Sequence, residues 1–196
     1  MKIFSLALLL ASGLLFSQCT KSSEPTPAHK VDYDQKSAEI VQALIPAVVG
    51  EWTMRRVHIK AQTHNVGQRE LGIVRDTVLQ DFATLSIQAA PSRSASGDPR
   101  YPHFTGFLHY RTKTYPIQFE LSASGERVVE NKGPQAFFLF EYNFPVGSHP
   151  TEPEEQLLRY LGLVGENFSL EVVPGQLGIM TWQGLNRGID KIELVK

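Results

Sequence analysis

Thr114-Tyr115-Pro116-Ile117-Gln118-Phe119-Glu120-Leu121-Ser122 alternates without a break. Tyr115, Ile117, Phe119 and Leu121 fall on one side, and Thr114, Pro116, Gln118, Glu120 and Ser122 on the other. Successive strand residues point to opposite faces of a sheet, so the stretch reads as a β-strand with one buried face and one wet face. Pro116 has no N–H to give to a ladder, which predicts an edge position or a local bulge there. Residues 104–111 form a second strand just upstream, and residues 110–115 read as the hairpin connection between the two. Working outward, the segments 51–60, 71–80, 83–89, 126–130, 136–144, 167–173, 177–183 and 190–195 show the same short apolar or alternating text between Gly-, Pro- and Asn-bearing turns. About ten short strands with few helices predict an all-β protein, either a closed antiparallel barrel or a sandwich, because sheet edges must be closed or covered.

Two segments depart from that text. Ser37 is placed to cap a short helix carrying Ile40, Val41, Leu44, Ile45 and Val48 on one stripe, with Pro46 expected to shorten or kink it. Residues 151–162 combine Thr151, Pro153, Glu154 and Glu155 at the start, Leu157, Leu158 and Leu161 within, and Gly162 at the stop, which marks a helix of two to three turns. The acids in its first turn complement the helix dipole and need no further role.

The 196 residues are 42% apolar and 20% charged, enough apolar text for the core of one ordinary domain. A net charge of −1 supplies no field to hold a polyanion, so nucleic acid is not an expected partner. A single Cys excludes an internal disulfide and any multi-cysteine metal site. Residues 1–18 read as a basic start, an apolar run from Ile3 to Phe16, and a polar exit at Ser17-Gln18 before Cys19. The run is short of the roughly 20 residues needed to cross a bilayer and fits a secretory signal. With Cys19 at its end, the segment resembles the lipobox of bacterial lipoproteins, in a relaxed form similar to Bacteroidetes signals. The resemblance implies a diacylglycerol on the Cys19 thiol, cleavage before it, and acylation of the new amino terminus with a chain such as palmitate. Thr20, in place of Asp, resembles outer-membrane sorting. The Ser/Thr/Pro-rich text that follows cannot bury enough surface to order itself and reads as a spacer. The expected organisation is a lipoprotein signal over 1–18, a flexible tether over 19–36 and a β domain over 37–196.

Gly50-Glu51-Trp52 opens the first strand directly after the short helix. A helical lead-in followed by Gly-x-Trp and an antiparallel meander resembles the lipocalin and calycin families, in particular the lipocalin-like domains of bacterial lipoproteins. The resemblance implies an antiparallel β-barrel of about 8–10 strands. In it Trp52 would plug the closed end beside an Arg from near the last strand, a role open to Arg187 here.

Candidate chemistry centres on residues 136–144, where Phe138, Phe140, Tyr142 and Phe144 share one face. Together with Tyr115 and Phe119 they would line a barrel cavity for a hydrophobic small molecule, or fill the core; the residues leave both readings open. The long polar loop 90–103 would stand at the mouth. The six His residues show neither an i, i+4 helical pair nor a dense cluster, so no metal site is expected. Neither Gly-x-Ser-x-Gly nor Ser-x-x-Lys occurs, and no phosphate-cradling glycine loop is present. No catalytic residue and no cofactor are expected. These observations predict a non-enzymatic, lipid-anchored protein of the cell envelope, at the outer membrane, that binds a small hydrophobic ligand. The alternative is a filled β domain acting as an accessory subunit of an envelope complex.

Overall fold

The computed structural model describes residues 31–92, 97–147, 149–172, 178–186 and 188–196. Cys19, the signal, most of the tether and Arg187 lie outside the described residues. The elements run α1 (Tyr33–Val48), β1 (Gly50–Ile59), α2 (Val66–Glu70), β2 (Thr77–Gln80), β3 (Thr84–Ala90), β4 (His103–Tyr110) and β5 (Lys113–Glu120). They continue with α3 (Gly125–Val129), β6 (Ala136–Tyr142), α4 (Pro153–Leu161), β7 (Glu166–Val172), β8 (Ile179–Gly184) and β9 (Ile189–Val195).

The strands form one antiparallel sheet in the order β2-β1-β3-β4-β5-β6-β7-β8-β9, and β9 returns to pair with β1 from Thr53↔Val195 to Ile59↔Ile189. β2 and β3 behave as one stave with a bend. Both pair with β1, and between them the Asp81, Phe82 and Met54 amides keep bonding, to Arg55 O, Met54 O and Ala83 O at 3.1, 3.0 and 2.9 Å. The bend uses a left-handed residue, Asp81 at φ +44°. The result is a closed eight-stranded antiparallel barrel with one extra strand and short helices, a lipocalin-like architecture. Closure removes the free edges that an open sheet of this length would expose.

Helices cover both ends. At the end where β1 starts, α1 buries Val41, Leu44 and Val48. Trp52 sits beneath it, 2% exposed, and its indole N–H donates to Val48 O at 2.8 Å. The cation over the Trp52 ring is Lys196, with Nζ 4.8 Å from the centroid and donating to Val49 O at 2.9 Å. Gly50 takes φ +133°, and a Cβ there would lie 3.1 Å from Lys196 Cε, so the glycine provides both the turn and the room for that lysine. At the opposite end α2 packs with α4. Gln68, fully buried, ties α2 down by donating to Lys60 O and accepting from the Gln62 amide, at 3.0 and 2.7 Å.

Several expectations change in detail. α1 begins at Tyr33 with Asp32 as its cap, accepting from the Gln35 amide at 3.0 Å. Ser37 is inside the helix, where its hydroxyl accepts from the Gly125 amide at 2.8 Å and joins α1 to the α3 segment. Pro46 is accommodated in the last turn, two residues before the helix ends, where little ladder remains to lose. Pro116 marks neither an edge nor a bulge. β5 lies between β4 and β6, and the missing donor faces Asn143, past the end of β6, while Pro116 O still accepts from the Asn143 amide at 2.8 Å. Residues 125–129 are helix α3, with Ser124 as cap; the Val128-Val129 pair suggested a strand that the capping residue overrides. The segment 71–80 is strand only from Thr77, since Asn65 caps α2 upstream of it. α4 follows expectation over Pro153–Leu161, with Glu152 as N-cap and Gly162 left-handed at φ +77°.

Candidate functional site

The aromatic row of β6 divides along its length. Phe138 and Phe140 are 4% and 0% exposed and lie inside the barrel around Trp182, at centroid distances of 4.9 and 5.4 Å. Phe119 completes this group, 5.0 Å from both Phe104 and Phe138. Phe168 stacks on Phe138 at 5.7 Å. These rings fill the centre of the barrel. Of the two readings the sequence left open for Phe119, Phe138 and Phe140, the structure shows packing.

Tyr115 and Tyr142 lie apart from that cluster, toward the α4 end, with their rings 5.6 Å from each other. Beyond them the chain leaves β6, and the Phe144 ring lies tilted 5.0 Å from Tyr142 and 3.9 Å from the His149 ring. Tyr142, Phe144, Val146, His149, Arg159 and Val164 line a cleft of about 390 Å³. A site of that volume, with aromatic walls and a few polar groups, is of the size that takes a small organic molecule.

The polar side of the cleft is organised by α4. Glu155, 2% exposed, accepts from His149 Nε2 at 3.0 Å and from the Arg159 guanidinium at 3.3 Å. Arg159 lies over the Tyr142 ring at 5.0 Å. One turn earlier, Glu152 accepts from Lys113 Nζ at 2.7 Å and from the Tyr115 hydroxyl at 3.0 Å, which pins the start of α4 to the β4–β5 turn. The Lys113 bond, then that from Tyr115, holds the Glu152 carboxyl below its ordinary range. Burial, then the bond to Glu152, pushes the Tyr115 phenol up. Burial and the Glu155 charge do the same for Tyr142, against the opposing pull of Arg159. Near neutral pH both phenols therefore stay protonated donors and Glu152 stays ionised. Such a set holds a helix and shapes a cleft.

The first-turn acids thus do more than meet the helix dipole. Glu155 and Arg159 stand four residues apart, a spacing visible in the sequence, but His149 joins them only through the fold. The remaining histidines are dispersed. His103, 7% exposed, bonds Pro91 O through Nδ1 at 3.1 Å, His109 bonds Thr114 Oγ1 at 2.9 Å, and His58 faces Glu193 at 3.3 Å. Among the described residues no group of three or more His, Cys, Asp or Glu is placed to hold a metal. The described part of loop 90–103 lies at the Trp52 end and not at an open mouth. Gln42 of α1 donates to Pro99 O at 2.9 Å, and Arg100 pairs with Asp34 at 3.0 Å.

No family model, no curated protein and no solved structure matches this chain, so its likeness to the lipocalins rests on the closed barrel and on the buried Gly50-x-Trp52 end.

Proposed function

We propose that this is a non-catalytic, lipid-anchored protein of the cell envelope whose barrel carries a small hydrophobic ligand at its α4 end. The observation that carries this reading is the division of the β6 aromatics. Phe138 and Phe140 are sealed against Trp182, while Tyr142 and Phe144 line a cleft of about 390 Å³. The anchor rests on the sequence alone, on Cys19 at the end of the apolar run. Acyl chains on Cys19 would hold the domain at the outer membrane, at about 0.8 kcal/mol per buried methylene. Native mass spectrometry of protein extracted from its own membrane tests both halves. The reading expects a bound mass that Phe144→Ala reduces, and acyl mass that Cys19→Ser removes together with membrane retention. A ligand-free spectrum would refute the carrier role. A membrane-bound, unacylated Cys19→Ser protein would refute the anchor.

A second reading, an accessory subunit of an envelope complex, is favoured by the filled interior. It predicts co-extraction of a partner protein and no small-molecule mass.

A further inference from the structure

The barrel wall is incomplete at one seam. β5 and β6 pair at Ile117↔Tyr142 and Gln118↔Glu141, and an isolated bridge joins Ser122↔Phe137 in the same register. Between these points the ladder has no pair, although the register makes Glu120 and Leu139 opposite residues. Asn143 donates to Pro116 O, and Ser122 and Phe137 exchange both bonds, so alternate residues of β5 present their main-chain groups to β6. By that alternation Glu120 and Leu139 turn an N–H and a C=O each into the opening. The neighbouring ladders are continuous across it: β4 pairs with β5 from His103↔Glu120 to Tyr110↔Lys113, and β6 with β7 from Ala136↔Leu170 to Phe140↔Glu166. The gap is therefore confined to this seam.

Over the seam lies a hollow of about 300 Å³ lined by Gln118, Phe119, Glu120, Leu139 and Glu141. Phe119, only 2% exposed and with its ring turned into the core, closes the hollow from the inner side. Leu139, 38% exposed, forms an apolar wall on the outer face. Apolar surface thus meets a stretch of main chain over which β5 and β6 form no ladder pair. At the rim, neither Glu120 nor Glu141 has an ion-pair partner among the described residues.

We propose that this seam is a lateral binding site for a single-chain amphiphile with a cationic or neutral head. The alkyl chain lies against Leu139. The head bonds the Glu120 and Leu139 main-chain groups, and the two carboxylates favour an ammonium and repel a carboxylate. Glu141 lines both this hollow and the α4-end cleft, whereas Glu120 and Leu139 line the hollow and not the cleft.

The test is ¹H–¹⁵N NMR of the labelled full chain titrated at pH 7 with dodecylamine and, separately, with dodecanoate, each below its micelle concentration. Dodecylamine should shift the Glu120 and Leu139 amides and show contacts to the Leu139 side chain, and should bind at least about fivefold more tightly than dodecanoate, the worth of one exposed ion pair. Glu120→Gln with Glu141→Gln should remove that preference. Leu139→Lys, on the outer face, should abolish amine binding with the remaining spectrum preserved. Unmoved seam amides, equal binding of the two probes, or shifts confined to Tyr142 and Phe144 would overturn the proposal. The last of these outcomes would leave the α4-end reading intact.

Discussion

Phe140→Ala separates a filled barrel from a hollow one. Phe140 is 0% exposed and packs 5.4 Å from Trp182 and 6.2 Å from Phe119, so truncation removes a whole ring from a close-packed cluster. Burying a Phe side chain is worth about 2–3 kcal/mol. The lost ring contacts and the void that remains add about 1–2 kcal/mol, giving roughly 3–5 kcal/mol. Against a total stability of about 5–15 kcal/mol this is a large fraction, and it corresponds to a fall in Tm of about 6–20 °C for a domain of this size. Urea unfolding followed by near-ultraviolet circular dichroism would measure it, with m unchanged. Were Phe140 the wall of an empty lumen, the ring would have few partners to lose. A cost below about 1 kcal/mol would therefore refute the packed-core description.

Trp182 and Glu152 supply further outcomes. Among the described residues the Trp182 indole N–H has no hydrogen-bond partner, and it sits among aromatic rings. An orphaned donor costs about 1–3 kcal/mol, so Trp182→Phe, which removes the donor but leaves a smaller ring, should change stability by less than about 1 kcal/mol in urea unfolding. Trp182→Ala should cost about 3–5 kcal/mol. Glu152 titrates below its ordinary value of 4.5 in the folded protein, so its contribution is present above that pH and is lost as pH falls through the lower folded value. The protection factors of the α4 amides, corrected for intrinsic exchange, should therefore fall as the pH is taken down below the ordinary carboxylate range. Glu152→Gln should flatten that dependence, and an unchanged profile would show that Lys113 and Tyr115 do not hold α4 through this carboxylate.

The strands were legible wherever one face was buried and the other wet. Thr114 to Ser122 is the clearest case, and its inner residues Tyr115, Ile117, Phe119 and Leu121 are all buried. Short helices were not legible. α2 and α3 span five residues each, too few for a period of 3.6 to declare itself, and their caps Asn65 and Ser124 resembled ordinary turn residues. Alternation placed the β6 aromatics on one face correctly but gave no depth along the barrel, which is what divides Phe138 and Phe140 from Tyr142 and Phe144. Gly50-x-Trp52 stood out in the sequence as the start of β1, where Trp52 lies buried beneath α1. The cation above Trp52 comes from Lys196, the last residue, a pairing over a separation that no local motif records. The contact between His149 and Glu155 likewise depends on how the chain leaves β6.

Aromatic side chains fill the barrel, and its cleft lies outside the lumen. Crystals of the protein under xenon pressure test this most directly, because xenon enters dry apolar cavities of about 150 Å³. The account predicts no xenon between Phe138, Phe140, Phe168 and Trp182. A well-occupied xenon site among those four rings would contradict it.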